Sequence, residues 1–114
     1  MNVSILRGRV LSAPAERRLG TGEFATSFDV VTEGDAGRMT VPVNWVTTVK
    51  ALVVEGDEIV VIGKVRRRFF QAGGSVQSRT EVLADSVTAV RRKVAARKAI
   101  DAAVADIRRD HRSI

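Results

Sequence analysis

The chain has 114 residues, enough for one domain with a core and too few for two. It holds no cysteine, which excludes disulfides and thiolate-bound metals, and no run near the roughly 20 apolar residues of a membrane span. The net charge of +6 is unevenly placed: residues 1–89 carry 11 Lys and Arg against 10 Asp and Glu, whereas residues 90–114 carry 8 against 3. A nearly neutral body with a basic end points to phosphate or another acidic partner, with a solvated helix face as the plainer alternative.

Abundant valine favours strands. Val3 to Val10 alternates loosely and reads as a first strand, which Ser12-Ala13-Pro14 breaks. Leu19-Gly20-Thr21-Gly22 is a turn. Phe24 to Thr32 is a second strand in which Phe24, Thr26, Phe28 and Val30 share the greasier face, with Phe28 as core. Met39 to Trp45 is a third, and Pro42 predicts an edge or a bulge there because proline cannot donate to a ladder. Thr47 to Val54 reads as a short internal helix with Val49, Leu52 and Val53 facing inward. Glu58 to Phe70 is the longest strand. Its Ile59-Val60-Val61-Ile62 run is apolar on both faces, as in a covered strand, and Gly63 marks a bulge or bend where a barrel closes. Ala72-Gly73-Gly74-Ser75 is a hairpin tip, and Val76 to Val87 returns as the last strand. From about residue 90 to 110 the pattern becomes helical, with Ala96, Ile100, Ala103, Val104 and Ile107 on one stripe. These elements make a mainly β architecture of five strands, with a binding domain over 1–89 and a basic helical appendage over 90–114.

Catalysis finds no support in these residues. The single histidine is His111, no cysteine nucleophile exists, and no phosphate-cradling glycine loop is present. The expectation is a non-enzyme with no cofactor and no metal. The informative constellation is Lys64, Arg66, Arg68 and Phe70, which share one face of the long strand at intervals of about 7 Å. Cations at that spacing track phosphates and a flat ring accepts a base, the two needs of a sequence-tolerant single-strand binder. The plainer reading is an exposed hairpin arm whose arginines prevent edge aggregation. Trp45, the only tryptophan, is either a second stacking platform or part of the core, and Phe69 stays undecided.

Seven stretches in order carry a family resemblance. They are Val3 to Val10, Pro14 to Arg17, Ala25 to Val30, Val41 to Trp45, Glu55 to Val65, Arg66 to Phe70 and Arg79 to Val87. Together they resemble the bacterial single-stranded DNA-binding protein family, in its short actinobacterial form. The resemblance implies a five-stranded OB-fold barrel assembled as a tetramer, with a helix-enforced dimer as the alternative. It implies a role in DNA replication, repair and recombination in the cytoplasm, alongside the nucleoid. Carried over, Phe70 and Trp45 match stacking aromatics, Arg66 and Arg68 match phosphate contacts, and Arg17 matches a basic position after the first strand. Arg7, Arg9 and Lys64 extend that set. Two departures stand out. Thr40 and Val41 occupy a region where the family often carries tryptophan, which predicts weaker binding or a shorter site. The Arg108 to Ile114 stretch shows neither the family's Gly/Pro-rich linker nor its acidic tip, so no recruitment of repair enzymes is expected. Alternatives to DNA binding are a preference for single-stranded RNA, or an OB-fold interaction module that lost its strand along with its aromatics.

Overall fold

The computed structural model of the protein describes residues 1–110. Residues 111–114, His111 among them, lie outside the described residues, as does that part of the sequence reading. Six strands and one helix follow in order: β1 (Ser4–Val10), β2 (Ala15–Arg18), β3 (Phe24–Gly34), β4 (Gly37–Thr47), β5 (Glu58–Ala72), β6 (Ser75–Ala89) and α1 (Lys93–Asp110). The sheet runs β1-β5-β6-β4-β3-β2 and closes on itself where Arg9 and Val10 of β1 meet Val31 and Val30 of β3. Every pairing is antiparallel except a short parallel contact between Val43–Trp45 and Val82–Ala84.

Closure requires two backbones to come very near each other. Gly8 and Gly63 make this room. A Cβ on Gly8 would lie 2.3 Å from the Val31 carbonyl oxygen, and one on Gly63 would lie 2.2 Å from that of Leu83. At Gly63 the β5–β6 register also shifts, as the sequence predicts. The barrel interior is filled by Val10, Phe28, Val30, Val43, Ile59, Val61, Val82 and Ala84. Val10, Val30 and Val61 are almost fully enclosed, each worth about 1.5–3 kcal/mol of apolar burial. Val60 points away from this core and is buried all the same, because α1 packs on β5 and β6 through Ala96 and Ala103.

Two expectations need correction. The barrel has a sixth strand, β2, whose four residues are all exposed and so leave no apolar periodicity to read. The internal helix over Thr47 to Val54 does not form. Eight residues rich in β-branched side chains cannot carry the cost of helix nucleation. Thr47 Oγ1 instead donates to the Val49 carbonyl at 2.6 Å, a local bond that competes with a helix. Val49 and Leu52 point into solvent rather than inward, and of the three only Val53 packs on the core. Pro42 sits opposite Asp29 in β3, and the pairing with β6 begins only at Val43, so β4 is an edge on that side up to the proline.

Among the described residues no helix is long and apolar enough to cross a membrane.

Candidate nucleic-acid interface

β5 and β6 stay paired far beyond the barrel, from Lys64–Leu83 to Ala72–Ser75, and form a two-stranded arm. Its tip is Gly73-Gly74 with φ of 59° and 80°, the two left-handed positions that a tight hairpin of the right twist demands. This two-residue turn sets the register of the whole arm. Arg66 stands opposite Glu81, Arg68 opposite Arg79, and Phe70 opposite Gln77. Partners directly across an antiparallel pair share a face. One face of the arm therefore carries Lys64, Arg66, Arg68, Phe70, Arg79 and Glu81.

Glu81 organises this face. It is only 4% exposed, and its Oε2 accepts hydrogen bonds from Arg66 Nη2 at 2.8 Å and Nε at 3.0 Å. Its Oε1 lies 3.3 Å from Arg68 Nε. A buried carboxylate is costly without such partners, and a guanidinium offers five donors, so one carboxylate engages one edge of each arginine. The remaining donors stay available for an oxyanion. Arg68 also lies over the Phe70 ring, 5.7 Å from its centroid. Arg79 approaches Asp29 at 3.6 Å. The face thus presents four cations against two carboxylates, with the arginines already held in place.

Beside the arm's root runs a groove of about 200 Å³ lined by Ser27, Asp29, Pro42 and Asn44 on one side and Arg68, Arg79 and Glu81 on the other. Ala15 of β2 contributes to its rim. Arg17 is two residues farther along β2, on the same side of the strand, and is exposed. Of the predicted cations Arg68 alone lines this groove; Lys64, Arg66 and Phe70 share its face of the arm, and Arg17 lies on β2, across the sheet from them.

The other expected residues lie elsewhere. Trp45 alternates with Asn44, so it shares the inner side of β4 with Val43 and packs, half-buried, against the core. Arg7 and Arg9 stand opposite Val60 and Glu58, about 20 Å down β5 from Arg66 by strand rise. They line a separate cleft of about 650 Å³ with Arg38, Glu33, Glu55 and Glu58, where the charges cancel. Arg7 Nε donates to Glu58 Oε2 at 3.1 Å, and Arg9 Nη1 donates to the Gly56 carbonyl at 2.7 Å. The hydrogen bond from Arg7 is the main cause that holds the Glu58 carboxyl below its usual value, against desolvation and with help from the charges of Arg7 and Arg9. The same pair raises the Arg7 guanidinium above its ordinary value.

Glu81 and Arg79 are the site residues that sequence reading misses. The signal was present: a two-residue tip at Gly73-Gly74 sets Arg66 against Glu81 by counting outward.

No family model matches the chain, and no curated protein does. Among solved structures, the second single-stranded DNA-binding protein (SSBb) of Mycobacterium smegmatis superposes with a TM-score of 0.60 at 22% identity. The match covers 78% of this chain and 86% of that one. At that identity the likeness establishes the fold. The closed mainly β barrel with its C-terminal helix is an OB-fold.

Proposed function

We propose that the protein binds single-stranded DNA with little sequence preference, through the arm face that carries Lys64, Arg66, Arg68 and Phe70. The observation that carries this reading is the Glu81 clamp. It presents two guanidiniums side by side, next to an aromatic ring, on an arm that protrudes from the barrel. Pre-positioned arginines lose less side-chain entropy when a phosphate arrives. The Phe70 ring, about a third exposed, then takes a base on its π-face. No covalent step is involved. The fold shared with a mycobacterial single-stranded DNA-binding protein supports the same reading. From the sequence resemblance we further propose that the chain takes a place among such proteins, assembling as a tetramer and protecting exposed strands during replication, repair and recombination. The barrel of residues 1–89 serves as the binding unit, and the helix that follows is an appendage to it.

Anisotropy of labelled oligo-dT, oligo-U and duplex DNA at two salt concentrations tests the proposal. Oligo-dT is expected to bind, with a salt slope near −2 if three cations each contribute about 0.7. Phe70→Ala is expected to weaken oligo-dT binding more than about tenfold at moderate salt, because stacking is worth roughly 1–3 kcal/mol per base. A loss under about twofold would mean that the ring holds no base. Stronger binding of oligo-U would redirect the reading to RNA.

A further inference from the structure

The arm has a second face. Val65, Arg67, Phe69 and Gln71 of β5 stand opposite Val82, Thr80, Ser78 and Val76 of β6, and all point away from Arg66 and Phe70. This face is open. Phe69 is 67% exposed, Val76 66% and Val65 45%, which makes Phe69 far more accessible than Phe70. The pairing brings Phe69 and Val76 into diagonal contact range, so ring and valine form one apolar spot. Arg67, exposed beside it, has no ion pair among the described residues, and no carboxylate stands on this face of the arm. The first face has its cations partly balanced by Glu81 and Asp29; the second has a ring, hydroxyls and one unbalanced cation.

The edge between the two faces is also open. Beyond Gly63, β5 no longer pairs with β1. At Val65 that edge is occupied by the Asn2 side chain, whose Oδ1 accepts from the Val65 N–H at 3.0 Å and whose Nδ2 donates to the Val65 carbonyl at 2.7 Å. Backbone groups alternate sides along a strand, so those of Arg67, Phe69 and Gln71 point the same way as those of Val65. Nothing among the described residues pairs with them. Their N–H groups are donors directed at whatever crosses the edge.

From these features, and resting on the proposed single-strand binding, we infer that the strand passes from the Arg66–Phe70 face over the open edge of β5 onto the opposite face. There Phe69 stacks a second base and Arg67 takes the phosphate between. Charge complementarity selects this occupant: the face offers a cation, an aromatic ring and no anion, and the edge offers N–H donors between its carbonyls. The arm then grips the strand on two sides with two neighbouring rings that never touch the same base.

The test compares Phe69→Ala, Phe69→Trp, Phe70→Ala and the double alanine variant by oligo-dT anisotropy, with sedimentation of each. Phe69 is so exposed that its removal should leave the melting temperature unchanged. Phe69→Ala is expected to weaken binding at least about fivefold, the lower end of the stacking range, and Phe69→Trp to retain it. The double variant should lose the product of the two single losses, as for two separate bases. Phe69→Ala with unchanged affinity, while Phe70→Ala weakens binding, overturns the second face and leaves the first standing. A changed assembly mass with unchanged affinity overturns it as well, and assigns the face to contact between copies of the chain. Absence of oligo-dT binding by the wild-type protein overturns both readings.

Discussion

The two halves of β5 are built on opposite rules. From Glu58 to Gly63 the strand is locked in the barrel, with Ile59, Val60 and Val61 each no more than 2% exposed. From Lys64 to Ala72 the same strand leaves the barrel and carries three arginines, a lysine and two phenylalanines into solvent. The first half has neighbours on both edges, β1 and β6, whereas the second has β6 alone. Stability is concentrated in one half and recognition in the other, and Gly63 is the border. A strand can therefore lose a function-bearing side chain in its outer half at little cost to the fold, while the buried run Ile59–Val61 of its inner half tolerates almost no change.

The harshest way to break that division is Gly63→Val. The added side chain would meet the backbone of Leu83 and Ala84, neither of which can yield, so a destabilisation of about 3 kcal/mol or more is expected in denaturant unfolding. Gly34→Ala, where a Cβ meets nothing within 4 Å, is the control and should be nearly neutral.

A milder variant, Glu81→Gln, sharpens the comparison, because Glu81 is the one charged partner of the outer half that is buried. Glutamine keeps one acceptor oxygen but turns the other into a donor and removes the charge the two guanidiniums share, and a cost of about 1–3 kcal/mol is expected. The freed cations should also steepen the salt dependence of oligo-dT binding by up to about 0.7. An unchanged slope would show that Glu81 does not compete with phosphate.

The smallest effect belongs to the inner half. Glu58 titrates below its usual value because of Arg7. Between the folded and unfolded values the unfolded chain binds more protons, so stability rises with pH there. The contribution is complete above the ordinary carboxylate range and is lost as pH falls through the folded value. The gap in melting temperature between wild-type and Glu58→Gln should be narrow at neutral pH, as for an exposed pair, and should close in acid. A gap that persists in acid would mean that Glu58 acts through packing.

Much of this division was legible in the sequence. Alternation marked the strands, continuous apolar residues marked the covered run, Gly63 marked the bend, and the cations after it marked the arm. What was not legible depends on pairing across the barrel. Alternation puts Trp45 with Val43, but only the closed sheet shows that this is the inner side. Arg7 and Arg9 read as free cations until the β1–β5 register brings Glu58 and the Gly56 carbonyl to them. β2 has no apolar face, and its four residues form a strand only because β3 offers an edge. The segment after β4 has valines and a leucine at helix-like spacing, yet local hydroxyl bonding and β-branching outweigh that pattern.

The Asn2 side chain gives the arm a mechanical root. The arm is a cantilever, fixed at its root on the β6 side by the pairing of Val82–Ala84 with Val43–Trp45 and on the β5 side by two bonds from a residue 63 positions away in sequence. Its root is therefore held by Asn2, a residue far in sequence from those that would touch a ligand. A change at Asn2 would leave every cation and ring of the arm in place and still alter how steadily they are held.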